Sequence, residues 1–247
     1  MTVAYDGTDF HGFAVQERQR TVGGVLAEAL TTALRREVDV TCAGRTDRGV
    51  HAWGQVVSFD APDGVDLVRL RRSVNSMLGP EVVVRDAAIA ASGFSARFDA
   101  RARTYRYTIV NRDAPDPFRA RFAWWIDAPL DLRALRIASD AFIGEHDFAS
   151  FCRKPKVSGR AEADQPSLRR RVVESRWDEV GDGVLQYEVS ANAFCWQMVR
   201  SVVGTLVEVG TGKRRPGEML GIIRAADRAA AGDMAPPHGL CLWHVDY

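Results

Sequence analysis

Cys42-Ala43-Gly44-Arg45-Thr46-Asp47-Arg48-Gly49-Val50-His51 is the stretch on which the fold turns. It sets one carboxylate, two guanidiniums, a hydroxyl and two glycines between segments that read as strands. Behind it, residues 51–59 alternate. His51, Trp53, Gln55, Val57 and Phe59 share one face, and Ala52, Gly54, Val56 and Ser58 the other. Ahead of it, residues 38–42 read as a buried strand. Glycine permits φ > 0 and close approach to a ligand. A loop fixed between two strands can hold a charged side chain where a substrate meets it. The same pattern also reads as a tight turn with surface charges, and spacing alone leaves both open.

Outward from this loop, residues 1–5 read as an opening strand and the Gly- and aromatic-rich segment 6–13 as a loop. Thr21 caps a helix whose Val22, Val25, Leu26, Ala29, Leu30, Ala33 and Leu34 recur at 3,4-spacing. A second helix spans 66–78 and stops at Gly79-Pro80, and 81–90 makes another strand. The order strand, helix, strand, strand, helix, strand describes an α+β unit with a largely antiparallel sheet.

The second half repeats this in outline. Residues 101–110 alternate as a strand, with Arg103, Tyr105 and Tyr107 on one face and Thr104, Arg106 and Thr108 on the other. Pro115 and Pro117 make 111–121 a loop, and a short strand follows at 122–126. Asp131 caps a helix holding Leu132, Leu135, Ala138 and Phe142. Residues 153–165 are polar, basic and aperiodic, which predicts a mobile loop. A hairpin over 169–193 turns at Gly181-Asp182-Gly183. Helices follow at about 196–209 and 216–226, then a closing strand at 239–247. The boundary between the halves is expected near residue 96, giving domains 1–96 and 97–247.

At 247 residues, with 46% apolar and 26% charged side chains, the composition is that of an ordinary globular protein with a real core. No apolar run approaches the roughly 20 residues of a membrane helix, and the start lacks a secretory pattern. Cys42, Cys152, Cys195 and Cys241 are scattered, which argues against a zinc motif or disulfide scaffold and fits a reducing cytoplasm. The five histidines are also dispersed, with no metal-ligand spacing.

The net charge of +1 hides its distribution. Between Arg97 and Arg121 stand seven arginines against three aspartates. Further basic clusters lie at 69–72, 153–156, 169–171 and 213–215. Arginine is the side chain best shaped for bidentate phosphate contacts. Several basic patches on a nearly neutral chain suggest a polyanion-binding face; each cluster alone also reads as a solvated surface.

Asp47 is the leading chemical candidate, because an ionised carboxylate beside arginines can act as nucleophile or general base. A glycosidase-like mechanism needs a second carboxylate, and Asp6 or Asp9 would have to supply it. Tyr105, amid arginines, suits base stacking, although it also reads as an ordinary cross-strand tyrosine. On the helix with apolar face Met198, Val199, Val202, Val203, Leu206 and Val207, Arg200 falls opposite the stripe with Gly204, reaching outward toward a site or solvent.

These residues carry a family resemblance. Residues 44–51 with Gly54-Gln55-Val56-Val57 behind them resemble the signature of TruA-type tRNA pseudouridine synthases. Residues 4–12, Phe94-Ser95-Ala96-Arg97-Phe98 with Arg103-Thr104-Tyr105-Arg106-Tyr107, Gly144-Glu145-His146-Asp147-Phe148, and Ala191-Asn192-Ala193-Phe194 with Met198-Val199-Arg200 and Val203-Gly204 are similar to its other motifs, in order along nearly the whole chain. The chain departs from the pattern at Phe13, where tryptophan is expected, and at Cys195-Trp196-Gln197, where histidines are common.

The resemblance implies that Asp47 is the catalytic nucleophile, that Tyr105 contacts the target uridine and that Arg200 pairs with the aspartate. It implies that Arg45 orders the loop and contacts RNA. The implied reaction isomerises uridine to pseudouridine at positions 38, 39 and 40 of the tRNA anticodon stem-loop. No cofactor or metal is implied; a homodimer is. The implied fold is two related α/β halves, ferredoxin-like, whose sheets join into one extended sheet with helices on one face and a basic cleft between the halves. Two other readings are a non-catalytic RNA-binding protein on this scaffold and a two-carboxylate glycoside hydrolase.

Overall fold

The structure, a computed structural model, describes residues 1–153 and 167–247. The expected loop at 153–165 lies, from 154 on, outside the described residues. In chain order the elements are β1 (Thr2–Tyr5), α1 (Val22–Leu34), β2 (Thr41–Cys42), β3 (His51–Ser58), α2 (Leu67–Leu78), β4 (Val82–Asp86), β5 (Ala102–Asn111), β6 (Trp124–Ile126), α3 (Leu132–Asp140), β7 (Gly144–Asp147), β8 (Arg169–Glu179), β9 (Val184–Ala191), α4 (Met198–Gly210), α5 (Met219–Ala225) and β10 (Leu240–Asp246). The mixed α+β class and the mainly antiparallel strand pairing agree with expectation.

The chain divides into two compact units. Unit one is Met1–Thr104 with Leu240–Tyr247, and unit two is Tyr105–Gly239. This division differs from the one expected at residue 96, because the last strand packs with the first unit. There β10 runs parallel to β3, with Cys241 opposite His51. No local pattern announces a pairing across that sequence distance.

In unit one the strand order is β4-β1-β3-β10, with β2 beside β3. β1 is antiparallel to both neighbours, setting Val3 opposite Gln55 on one side and Val84 on the other. Thr21 caps α1 as expected, accepting from Gly24 N, and Asp66, expected as the first residue of the second helix, instead caps α2, accepting from Arg69 N. Leu26 and Leu30 of α1 and Leu70 and Val74 of α2 are buried with Val3, Val57, Val82 and Val84. Asn75 clamps α2 to β4: its Nδ2 donates to Val84 O at 3.0 Å, and its Oδ1 accepts from Val84 N at 2.7 Å. The strand expected at 38–42 shrinks to Thr41–Cys42, because Val38 N turns back to donate to Thr31 Oγ1. The strand expected over 81–90 ends at Asp86.

In unit two the order is β5-β9-β8-β7, with β6 parallel to β5. The β8–β9 hairpin turns through Asp182 and its flanking glycines, all three at positive φ. Sequence reading assigned no strand at 144–147, yet β7 pairs antiparallel with β8 there. α3 stops at Asp140, before Phe142, and the helix expected from 216 opens as a 3-10 turn, Pro216–Glu218. Trp177, Tyr187, Phe142, Phe148, Phe151, Leu135 and Met198 are fully buried. Cys152 and Cys195 are joined, with Cα atoms 5.7 Å apart. The scattered spacing gives no sign of this pair; the two are 43 residues apart, and only the fold brings them together.

Candidate active site

Asp47 is half-buried at the tip of the loop that follows β2. The loop is held from several sides within unit one. Ala43 N donates to Val56 O at 2.8 Å, which extends the ladder one residue past β2. Gln55 then grips Gly44 at both backbone groups, its Nε2 donating to Gly44 O at 2.6 Å and its Oε1 accepting from Gly44 N at 3.3 Å. The Tyr5 hydroxyl lies 2.8 Å from Thr46 Oγ1. A tight turn closes the tip where Val50 N donates to Asp47 O at 3.1 Å, with Gly49 at φ +76°.

The segment after β1 buttresses the loop. Phe13 N donates to Thr46 O at 3.0 Å. Gly12 has φ +89°, and a Cβ there would stand 2.7 Å from Thr46 O, so the position requires glycine. His51 Nδ1 accepts from Gly7 N at 3.0 Å. That bond makes Nδ1 an acceptor, so its 3.2 Å approach to Asp6 Oδ1 is not an ion pair while the ring is neutral. Asp6 also accepts from the Thr8 amide and hydroxyl, which makes it an anchor of this turn.

In sequence Arg103 stands in the basic flank of the Tyr105 motif; in the structure it has a further task. Its Nε and Nη2 donate to Ala43 O at 3.2 and 3.0 Å, and Nη2 also reaches Arg97 O. The guanidinium therefore fastens the start of β5 to the root of the Asp47 loop. Arg45, expected to order the loop, is itself exposed. Its charge acts on Cys42, whose thiol is pushed above its ordinary range by burial and partly drawn back by Arg45.

In unit two, Tyr105 on β5 is 7% exposed and meets Phe194 edge-on, with ring centroids 5.0 Å apart. Arg200 on α4 is 9% exposed. The helical wheel pointed it outward; instead, residues 233–235 cover that side. Arg200 Nε donates to Ala235 O at 2.8 Å, and Ala235 N donates to Arg200 O at 3.0 Å. Gly204 lets the covering segment approach, since a Cβ there would lie 1.7 Å from Asp233 O. The Arg200 charge is felt nearby. Burial holds His238 below its ordinary range, and Arg200 pushes it the same way, against a backbone hydrogen bond at Ala123. Burial pushes the Tyr107 phenol far up, and Arg200 opposes it. The Tyr107 hydroxyl donates to Pro236 O at 2.9 Å.

The arginine-rich stretch is partly neutralised. Arg106 and Arg176 both pair with Glu188, and Arg112 and Arg119 both pair with Asp116. Among the described residues no group of His, Cys, Asp and Glu is arranged to hold a metal ion. No helix among them is long and apolar enough to cross a membrane.

The chain matches the family model described as tRNA pseudouridine synthase over residues 1–99 and 138–247. It is 42% identical over 245 residues to tRNA pseudouridine synthase A of Brevibacillus brevis, covering 99% of this chain and 97% of the relative. It is 39% identical over 248 residues to the protein of the same name from Bacillus subtilis, covering 100% and 97%. The relative so named from Pseudothermotoga lettingae is 38% identical over 245 residues, covering 99% and 97%. The braced loop around Asp47 and the helix that carries Arg200 lie inside the residues the family model matches, and by the full-length similarity to these relatives the chain belongs to the tRNA pseudouridine synthase family.

Proposed function

We propose that this protein isomerises uridine to pseudouridine in tRNA, at positions 38, 39 and 40 of the anticodon stem-loop, with Asp47 as nucleophile. The observation that carries the reading is full-length similarity to tRNA pseudouridine synthases A together with a braced loop that holds Asp47 half-buried. Tyr105 contacts the target uridine, Arg200 is the cation that pairs with Asp47, and Arg45 contacts RNA. The enzyme acts as a homodimer in the cytoplasm.

The residue types suit the chemistry. The reaction breaks the bond between N1 and C1′, turns the base and joins C5 to C1′. Product and substrate have the same atoms and oxidation level, so the stoichiometry calls for no cofactor. The target uridine leaves its stack at a cost of a few kcal/mol. Contact with an aromatic side chain returns about 1–3 kcal/mol per base. Tyr105 is already fixed by Phe194, so little side-chain freedom is lost when a base arrives. Arg200 is likewise held by Ala235, a preorganised cation of the kind that favours an ionised aspartate.

The test is chemical mapping of pseudouridine in anticodon stem-loop transcripts incubated with wild-type and Asp47→Ala protein. Wild type should modify the transcripts, and Asp47→Ala should leave them unmodified while still binding them. Activity in Asp47→Ala would overturn the nucleophile assignment. Binding without modification by wild type would favour a non-catalytic RNA-binding protein.

A further inference from the structure

Residues 44–46 leave the β-ladder before the turn at Asp47 closes. Ala43 N makes the last ladder contact, to Val56 O. Beyond it the chain is steadied by side chains standing on β3 and β1. Gln55, central on β3, is 0% exposed. A buried primary amide has to place both hydrogens and its oxygen. Gln55 does so on few partners: Gly44 O at 2.6 Å, Tyr5 Oη at 3.3 Å and, through Oε1, Gly44 N at 3.3 Å. The amide cannot be flipped, because the reversed group would set oxygen against Gly44 O and NH2 against Gly44 N. Tyr5, also buried, carries the chain of contacts to Thr46 Oγ1 at 2.8 Å. The two grips thus fall on Gly44 and Thr46, either side of Arg45, and Thr46 immediately precedes Asp47.

We propose that Gln55, through Tyr5 and Thr46, is a positioning residue for the reaction: an amide strut from β3 that fixes the height and direction from which Asp47 is presented. This rests on the reading of Asp47 as nucleophile. Three features separate it from a merely structural role. Gln55 spends its side-chain hydrogen-bonding groups on the loop and on the Tyr5 hydroxyl at the end of β1, none of them on a backbone group of the strands that flank β3. The sheet does not need a polar residue there; Val57, on the same face two residues on, is apolar and buried. The partner hydroxyls are on residues whose apolar isosteres, phenylalanine and valine, suit a strand and a buried loop equally well. The proposed effect is on rate, because a loosened loop still presents the same side chains to RNA but spends less time in the reactive geometry.

The experiment measures single-turnover pseudouridine formation, stem-loop affinity and melting temperature for Gln55→Leu, Tyr5→Phe, Thr46→Val, Thr46→Ser and the double variant Tyr5→Phe/Thr46→Val. Losing one net hydrogen bond should slow Thr46→Val about 5- to 10-fold, Tyr5→Phe, which loses the contacts to both Thr46 and Gln55, should slow at least as much, and leaving both Gly44 groups unpaired should slow Gln55→Leu roughly 30-fold or more. Thr46→Ser keeps the hydroxyl and should stay within about twofold of wild type, and the double variant should be no slower than the slower single one, since both remove the same contact. RNA affinity should change less than about twofold throughout, as no phosphate contact is touched. Wild-type rates in folded Gln55→Leu and Tyr5→Phe would overturn the proposal. So would equal losses in Thr46→Ser and Thr46→Val, or rate losses matched by equal losses of affinity. Tyr5→Phe deletes a single oxygen and keeps the test decisive if Gln55→Leu does not fold. Asp47→Ala, run alongside, separates the two readings: its activity would remove the nucleophile assignment, whereas normal struts with a dead Asp47→Ala would remove only the positioning role.

Discussion

Replacing Gly204 with alanine sets two magnitudes against each other. Gly204 sits inside α4, where helix propensity alone favours alanine over glycine by about 1 kcal/mol. A Cβ at this position would stand 1.7 Å from Asp233 O, 2.9 Å from Asp233 C and 3.0 Å from Ala235 N. All three are backbone atoms, so no flexible side-chain end can swing aside. The covering segment has to lift, which costs roughly 1–3 kcal/mol as overpacking. Lifting it also strains the two hydrogen bonds between Arg200 and Ala235, at about 1 kcal/mol each. The clash outweighs propensity, leaving a net loss of roughly 2–4 kcal/mol. For a chain of this size that lowers the melting temperature by roughly 5–15 °C. Because Arg200 loses its backbone partner in the same movement, the single-turnover rate should fall in whatever fraction stays folded. Gly221, within α5, is the internal control: a Cβ there meets nothing within 4 Å, so Gly221→Ala should melt about 1–4 °C higher. Thermal unfolding by circular dichroism reads both variants. A Gly204→Ala protein melting at or above wild type would refute the account of how the covering segment holds Arg200.

Two further outcomes follow from single side chains. β4 is the end strand of its order, and Asn75 occupies both backbone groups of Val84 along it; Asn75→Ala should therefore cost roughly 2 kcal/mol, lowering the melting temperature by about 4–8 °C, with Asn75→Asp between it and wild type. His238 is held below its ordinary value of 6.5, first by burial and then by Arg200, so the folded protein binds fewer protons than the unfolded chain once pH falls below that value. Stability then drops as pH falls, and the drop in melting temperature between pH 7.5 and 5.5 should be smaller in His238→Asn than in wild type; an unchanged slope would show that His238 titrates alike in both states.

Much of the fold was legible because helices and strands announce themselves locally. Thr21 and Asp131 each accept the amide bond that their places before apolar helical stripes predict. Gly181-Asp182-Gly183 turns where glycines flank an aspartate. What failed to show were pairings made at a distance. β7 is only four residues long and polar, and becomes a strand because β8 lies alongside it. β10 joins the first unit through a parallel pairing that an alternation pattern cannot encode. Cys152 and Cys195 look unrelated in sequence for the same reason.

The site divides along the same line. The Asp47 loop was conspicuous because a carboxylate among glycines and arginines is a concentrated local signal. Its supports were not, because a glutamine, a tyrosine and a threonine in strand or loop positions carry no signal until their partners are known. Arg103 and Arg106, on opposite faces of one strand, were counted together as basic charge. The fold spends Arg103 on the Ala43 carbonyl and Arg106 on Glu188, 82 residues away. Local composition therefore overstates how much positive charge is left for a polyanion. Arg200 shows the converse. A helical wheel assigns it to the open side of α4, yet Gly204 on that same side admits residues 233–235, which bury and orient the guanidinium. The glycine was the available clue: a residue of poor helix propensity inside an otherwise strong helix has to be explained by what comes close to it. Once that neighbour is placed, an exposed surface arginine becomes a fixed, desolvated cation, and a group of that kind can influence the charge state of a partner carboxylate.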